Sequence, residues 1–167
     1  FNQFTFGITD PLFSKDVAFY VFSYPVFEFI ISIFKFLLFL SLGLVGWIYF
    51  TNQILLLIFT TSSENKFIKK HMLILFSFFL VFLAAQMYLD TYGLLFSDQG
   101  ILFGAGYTDV NASLIYFQIG SILLLIGSLI TFVWSFKKGI KIPFYFLAFW
   151  MLFYFSFGKI YPSLIQN

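Results

Sequence analysis

Four continuous apolar runs divide the chain, and the polar residues fall mainly between them. The runs cover roughly residues 26–50, 72–96, 112–136 and 142–160. Each run approaches the ~20 apolar residues that a helix needs to cross the hydrocarbon core of a bilayer. The alternating ~10-residue pattern of a membrane barrel is not seen, so the runs predict helices. We therefore expect an all-α, polytopic membrane protein with four transmembrane helices.

Residues 1–25 have a more polar pattern, and we interpret them as a segment at the membrane surface. Ser14 can cap a short helix. Polar residues then recur at helical spacing from Asp16 through Tyr20, with apolar residues between them. This pattern predicts a short amphipathic helix in the plane of the interface. Pro25 predicts a change of direction into the first span.

The connections between the runs are short. After the first run comes an apolar stretch, 54–59, that is too short to span, and then the clearest polar loop, 61–70. The connection 97–111 is rich in glycine and polar residues, and residues 161–167 form a C-terminal tail. We therefore assign 26–160 to one four-helix transmembrane domain.

Lysine is distributed unevenly over these connections. Lys15 and Lys159 fall on one side of the predicted bundle, and six lysines fall on the other. The six are Lys66, Lys69, Lys70, Lys137, Lys138 and Lys141. By the positive-inside rule, the side with six lysines faces the cytoplasm, or the stroma in a plastid.

Small residues form two rows along the third run. Both rows repeat every seven residues, which is the period of a left-handed helix pair. The first row holds Ser113, Gly120 and Gly127, and the second holds Ser121, Ser128 and Ser135. Because small residues let helix backbones approach closely in lipid, we expect this run to pack against its neighbours.

Two charged residues lie well inside the first two apolar runs, away from their ends. Lys35 lies roughly 14 Å into the first run, and Asp90 lies about 9 Å from the end of the second. The two spans run in opposite directions, so both charges lie in the outer half of the membrane. An unpaired charge there is costly, and we expect Lys35 to pair with Asp90 or with Glu28. The alternative is that Lys35 extends to the interface and Asp90 lies in the headgroup layer.

The glycine-rich connection contains a motif with two interpretations. Its residues are Gly104, Ala105, Gly106, Tyr107, Thr108 and Asp109. A phosphate-binding loop would need a following Lys-Ser/Thr pair and a preceding strand, and the sequence has neither. We favour a tight turn in which Thr108 or Asp109 caps the third helix.

His71, at the start of the second run, is the chain's single histidine. It is a possible pigment ligand, and the alternative is a simple interfacial anchor. Chlorophyll or carotenoid would be the pigment if the host is a photosynthetic complex, and lipids are expected ligands in any case. The chain has no cysteine, which excludes disulfides and thiolate metal sites. We predict no metal site and no catalytic residues.

Composition agrees with a lipid environment. Phe accounts for 29 of 167 residues, mean hydropathy is +0.98, and 10% of residues are charged, against about 25% in soluble domains. A net charge of +2 without arginine provides no basic patch for nucleic acid. The bias toward Phe, Ile, Tyr, Asn and Lys suggests an AT-rich bacterial or organellar genome.

Several segments resemble a known family of bacterial and cyanobacterial membrane proteins, uncharacterised protein family 0182. They are DPLFSKDVAFYVFSYP (10–25), YLD (88–90), LLFS (94–97), GAGYTDVNA (104–112) and YPSLIQ (161–166), and His71 also agrees. The resemblance implies about seven spans followed by a large exported domain, of which this chain covers the last four spans. It departs from the family at Ser113-Leu114-Ile115, where a Leu-Pro is usual. No activity or site residue comes with the resemblance.

These patterns predict a non-enzymatic integral membrane subunit, a helical scaffold or accessory component of a larger complex. Its partners would be other transmembrane subunits and lipids, not nucleic acid. A photosynthetic or respiratory complex, in a bacterial inner membrane or a thylakoid membrane, is a candidate host. The alternative is a transporter or channel component with Glu28, Lys35 and Asp90 on a polar pathway. A lipid-acting enzyme using Asp98, Asp109 or Tyr107 has only residue type in its favour.

Overall fold

The computed structural model describes residues 5–51, 65–96, 105–107, 109–137 and 141–160. Within them the chain is helical after residue 16 except at 105–106 and 136–137, which confirms the all-α prediction for this part of the protein. The α-helices are α1 (Tyr24–Thr51), α2 (Asn65–Gly93), α3 (Leu114–Ser135) and α4 (Lys141–Phe155). Short turns extend them: π-helical Phe19–Ser23 before α1, 3-10 Leu94–Phe96 after α2, π-helical Asp109–Ser113 before α3 and π-helical Ser156–Ile160 after α4.

Three of these helical segments are long and apolar enough to cross a membrane. They cover Phe19–Thr51, Phe67–Phe96 and Asp109–Ser135, with mean hydropathies of 2.3, 2.3 and 2.0. The fourth apolar helix, Ile142–Gly158, is shorter than these. The length and composition of the three long helices indicate a membrane protein.

The helices α1 and α2 pack against each other in opposite directions. The ring of Phe34 stacks on that of Phe82, with centroids 4.9 Å apart. Nearer the end of α1, the Tyr49 hydroxyl lies 3.1 Å from His71 Nδ1. Residue numbers rise along α1 as they fall along α2, so the pair is antiparallel.

The main hydrophobic core lies between α2, α3 and α4. Its fully buried members are Leu80, Ala84, Met87 and Leu124. Larger side chains surround them, with Phe76, Leu83, Tyr116, Phe117, Phe146 and Trp150 partly buried against the cluster. By contrast, α1 has no buried residue. The described helices therefore share one core between α2, α3 and α4, and α1 packs along α2 without burying a residue of its own.

Residues 5–16 form an irregular loop organised by two aspartates. The Asp10 carboxylate accepts backbone N–H bonds from Leu12, Phe13 and Lys15. Its Oδ2 also accepts a bond from the Tyr20 hydroxyl, at 2.7 Å. These bonds satisfy backbone donors that no helix or sheet would satisfy here.

The second aspartate of this loop starts the first helical segment. Asp16 accepts backbone bonds from Phe6 and Gly7 on one side of the loop. It also accepts a 2.7 Å bond from the N–H of Ala18, at the beginning of the helix. Asp16 therefore holds the loop closed and caps the helix at the same time.

Across residues 5–25 the structure describes no helix separate from the one that continues into α1, so the predicted interfacial helix is not confirmed. Ser14 does not cap a helix; it adopts a left-handed conformation with φ of 55° within the loop. Pro25 also does not separate two helices, because Phe19–Thr51 is one continuous helical segment. The N–H of Tyr24 bonds to the carbonyl of Phe19, five residues back, and this widened turn accommodates a proline that has no N–H.

Helix boundaries differ most from expectation at α2. The predicted loop 61–70 is helical from Asn65 onward, and residues 61–64 lie outside the described part of the chain. The sequence pattern placed the start of the helix where the apolar run begins. An α-helix can extend beyond the apolar run, because polar residues at its end can lie outside the hydrocarbon core. The stretch 54–59, much of the connection 97–111 and the tail 161–167 are also outside the described residues.

Candidate functional site: a polar cavity between three helices

The best-formed candidate site is centred on two polar side chains one turn apart on α2. Gln86 Nε2 donates a 2.8 Å hydrogen bond to Asp90 Oδ1. This is the i, i+4 spacing that brings helix side chains together. Gln86 Oε1 is buried and has no hydrogen-bond partner among the described residues. Because an unpaired buried acceptor is costly, this atom marks a place where a donor is missing.

The two side chains open into a cavity of about 400 Å³ between α2, α3 and α4. Its aromatic walls come from Tyr116, Phe117, Trp150 and Tyr154. Leu83, Met87 and Leu124 supply the aliphatic part of the lining, and Gly158 also lines the cavity. An apolar cavity with a few convergent polar groups is the usual form of a small-molecule site.

Gly158 leaves space for a neighbouring cavity residue because it has no side chain. A Cβ at this position would lie 3.0–3.2 Å from the Tyr116 ring and hydroxyl. The glycine in the turn after α4 therefore allows Tyr116 of α3 to approach closely.

The predicted charge pair is not a direct contact. Lys35 is half-buried and Glu28 is exposed, and neither lines the cavity. Among the described side chains no ammonium nitrogen lies within 4.0 Å of a carboxylate oxygen. Both residues act on Asp90 electrostatically, with opposite signs. The direct partner of Asp90 is Gln86, which the sequence placed in the same span without indicating its role; the i, i+4 spacing was the available signal.

The small residues of α3 are at its helix contacts. Gly120, Ser121, Gly127, Ser128 and Ser135 are buried, and Ser113 in the preceding turn is half-buried. A Cβ at Gly120 would overlap Met87 of α2, and one at Gly127 would overlap the Phe146 ring of α4.

The serines of the second row satisfy their own hydrogen bonds. Ser121, Ser128 and Ser135 each donate to a carbonyl three residues earlier in α3. Thr131, which is fully buried, donates to the carbonyl of Gly127, four residues earlier. The small side chains of this row therefore allow close helix contact, and their hydroxyls form no hydrogen bond to another described helix.

The glycine-rich motif forms a helix start where it is described. Asp109 Oδ2 accepts a 3.0 Å bond from the N–H of Gly106, and the carbonyl of Gly106 accepts from Val110. This is the returning half of a capping box, in which an acidic side chain satisfies a free N–H at the helix start. Tyr107 is exposed, its carbonyl accepts from the Asn111 side chain, and Gly104 and Thr108 lie outside the described residues.

His71 lies at the α1–α2 contact. Its Nδ1 is 3.1 Å from the Tyr49 hydroxyl, so one ring nitrogen is occupied within the protein. Pigment ligation through Nε2 stays a prediction. Across the described ranges, no three His, Asp or Glu residues come together as a possible metal site.

Three lysines meet at one end of the bundle. Lys69 Nζ of α2 donates a 2.9 Å bond to the carbonyl of Lys137 after α3. Lys70 Nζ lies 4.5 Å from the centroid of Phe136, and Lys137 Nζ lies 4.7 Å from that of Trp134. These cation–π contacts fit an aromatic belt at a membrane surface.

The pKa values of two carboxyl groups, Asp10 and Asp16, are lowered in the N-terminal loop at the opposite end of the bundle. Partial burial alone would raise the pKa of Asp10, but the bonds from Phe13, Tyr20, Lys15 and Leu12 outweigh it and the pKa is lowered. The backbone bond from Ala18 is the main reason that the pKa of Asp16 is also lowered. Both groups are therefore held in the charged form as structural acceptors.

Comparison with known proteins gives a family without a described activity. A sequence model of Uncharacterised protein family (UPF0182) matches residues 1–167. A relative from Desulforamulus reducens is 32% identical over 171 residues, covering 100% of this chain and 18% of the relative. Relatives from Pelobacter propionicus and Clostridium tetani are 30% and 32% identical, covering 99% and 84% of this chain and 18% and 17% of the relatives. No solved structure matches.

The family resemblance seen in the sequence is thereby confirmed. The chain spans about 18% of the length of the first two relatives, so it corresponds to a fragment of a family member.

Proposed function

This chain belongs to Uncharacterised protein family (UPF0182), and we propose that it is a non-enzymatic, membrane-embedded scaffold. Other transmembrane segments of a longer protein or complex would pack against it. The observation that carries the proposal is the free surface of α1. Its most apolar 18-residue window is 0% buried, whereas the corresponding windows of α2 and α3 are each 33% buried. Relatives several times longer than this chain leave room for such partners.

The exposed surface of α1 is aromatic as well as apolar. Phe29, Phe36 and Phe39 are 67%, 63% and 66% exposed, and Trp47 is 66% exposed. Large aromatic side chains provide much contact area with little loss of conformational freedom. Since the contacts of α1 with the other described helices are mainly with α2, its outer surface is available to further helices.

The same proposal includes four spans with a fixed orientation. Ile142–Gly158 would cross the membrane as the fourth, shorter span, with some local thinning of the bilayer. The end that carries Lys69, Lys70 and Lys137 would face the cytoplasm or stroma. Single cysteines at positions 65 and 105 should then react with an impermeant reagent from opposite sides; reaction from the same side would contradict this orientation.

Site-specific photocrosslinking in native membranes tests the scaffold role. A photoreactive residue replaces Phe36 on the outer surface of α1, and the control replaces Leu129 on α3, which is similarly exposed at 64%. We expect the probe at 36 to form crosslinks that mass spectrometry assigns to another transmembrane segment, and the control to react mainly with lipid. Lipid adducts alone at both positions would contradict the proposal.

A second candidate, a transporter component, is favoured by the unpaired Gln86 Oε1 beside Asp90. In this proposal the polar cavity would be one binding position along a transport pathway. Lys35 and Glu28 would act on Asp90 electrostatically from a longer distance. A pathway needs polar residues along more of its length than the cavity provides. Solute or ion flux into liposomes that is lost in Asp90→Asn would support it, and flux equal to empty liposomes would not.

A further inference from the structure

We infer that the cavity at Gln86 and Asp90 binds a primary ammonium group. α1 contributes no residue to the cavity, so this inference stands or falls separately from the scaffold role.

Two acceptor oxygens in the cavity receive no hydrogen bond from the described residues, although tyrosine hydroxyls and an indole N–H also line it. Asp90 Oδ1 already accepts from Gln86 Nε2. None of the described residues donates to Asp90 Oδ2, and Gln86 Oε1 is buried without a partner. A primary ammonium has three N–H donors and no acceptor, which is the complement of these two oxygens.

Charge favours a cation over a neutral donor. No cationic group among the described side chains lies within 4.0 Å of Asp90. The positive charge of Lys35 and the negative charge of Glu28 act on it from α1 with opposite signs. A carboxylate at this depth in a membrane normally has a partner or a polar cavity. A bound ammonium would supply the missing positive charge.

The walls of the cavity are suited to the same ligand. Tyr116, Phe117, Trp150 and Tyr154 contribute aromatic rings from two helices. Ring faces attract organic cations, and tryptophan does so most strongly. A carboxylate beside several aromatic rings is therefore a recognition site for an organic ammonium.

The position of the site allows two sources of this group. Asp90 lies six residues before Phe96, the end of its helical segment, which is about 9 Å along a helix axis. The ammonium of an ethanolamine lipid headgroup can reach this depth at the edge of the bilayer, and a free primary amine can enter the cavity directly. Both sources present the same chemistry.

Tryptophan fluorescence of the full chain in nanodiscs tests the inference. The chain has three tryptophans, so Trp47→Phe with Trp134→Phe leaves Trp150 as the reporter in the cavity wall. Trp134→Phe with Trp150→Phe leaves Trp47, which faces outward on α1, as the control. We expect propylammonium to shift the Trp150 emission saturably and to leave Trp47 unchanged. An equal response to propanol, or no response at Trp150, would overturn the inference.

Substitutions in the Trp150 reporter background locate the bound group. Asp90→Asn keeps an oxygen that can accept from Gln86, so the fold is preserved, and we expect the propylammonium affinity to fall about tenfold or more. Gln86→Leu should also weaken binding, whereas Gln118→Leu, the same change on the exposed side of α3, should not. Unchanged affinity in Asp90→Asn, with helicity retained by circular dichroism, would contradict the assignment.

Lipid composition separates the two sources. If a lipid headgroup fills the site, phosphatidylethanolamine nanodiscs should shift the Trp150 emission without added amine and weaken propylammonium binding by competition. If the ligand is a free amine, phosphatidylethanolamine and phosphatidylcholine nanodiscs should bind propylammonium equally. Phosphatidylcholine has no N–H on its ammonium, so competition from it as strong as from phosphatidylethanolamine would overturn the hydrogen-bonding basis of the inference.

Discussion

The helices α1 and α3 are both apolar, but α3 buries seven of its residues within the chain and α1 buries none. Their most apolar windows have mean hydropathies of 2.3 and 2.0, yet the α1 window is 0% buried and the α3 window is 33% buried. α3 contacts both α2 and α4 through its small residues. α1 has phenylalanines on several sides and touches α2 through individual ring pairs.

The comparison shows that hydropathy and contact are separate properties of a membrane helix. In lipid there is little hydrophobic gain when two apolar helices meet, because the tails are as apolar as the side chains. Close approach and van der Waals contact decide which surfaces associate, and these depend on residue size. The four predictions below test this difference between α1 and α3, in order of decreasing expected effect.

The largest effect is expected from filling the contact at Gly127. A side chain there would enter the space of the Phe146 ring, so Gly127→Leu should lower the free energy of unfolding by about 3 kcal/mol through overpacking. Gly43 on α1 has nothing within 4 Å of an added Cβ, and Gly43→Leu should be neutral or slightly stabilising. Denaturant unfolding in micelles, followed by tryptophan fluorescence, measures both; equal losses would show that α1 is packed like α3.

A smaller loss is expected where the loop joins α1 to α2. Asp10→Ala removes the acceptor of three backbone bonds and of the Tyr20 hydroxyl, and should cost about 1–2 kcal/mol. The loop residue Phe13 packs on Tyr92 of α2, with ring centroids 4.9 Å apart. Proteolysis near residue 10 should therefore accelerate in the variant. Resistance equal to the wild type would show that the loop is held by its aromatic contacts alone.

The ring pairs between α1 and α2 should each contribute less. Phe34→Ala breaks the stack with Phe82 and should cost about 1 kcal/mol. The matched change Phe36→Ala, on the outer surface of the same helix, should have almost no effect on the isolated chain. If Phe36→Ala is the more costly substitution in unfolding experiments, the two faces of α1 have been assigned the wrong way round.

The smallest effect is a local dependence on pH. The pKa values of Asp10 and Asp16 are lowered in the folded state from a reference of 3.8, so their stabilisation is present above pH 3.8 and is lost as pH falls through the folded values. A spin label at Pro11 should become mobile only as the pH falls below 3.8. A label at Ile122 on α3 should keep its spectrum, because no carboxylate bond holds it. Equal mobility changes at both sites would indicate general unfolding instead.

Much of the fold was readable from the sequence because it follows from hydropathy along the chain. The apolar run 112–136 corresponds to a helical segment over Asp109–Ser135, since a backbone in lipid has to bond to itself. The seven-residue spacing of Gly120 and Gly127 also indicated a packing face. The start of α2 was misplaced, because hydropathy marks where lipid begins and a helix can begin earlier.

The candidate site was only partly readable. Asp90 was recognisable as a costly charge within a span. Its partner was expected to be Lys35 by charge, but the structure gives it Gln86, which is on the same helix and one turn away. The cavity beside it depends on Trp150 and Gly158, sixty or more residues further along the chain.

The sequence by itself indicated a membrane protein, its helical secondary structure and the residues small enough to allow helix contact. Each of these depends on local composition and spacing. Only the tertiary structure decided which helix surfaces meet, how Asp10 and Asp16 close the N-terminal loop, and which acceptor remains unpaired. Those outcomes depend on distances between residues that are far apart in the chain, and a one-dimensional pattern does not contain them.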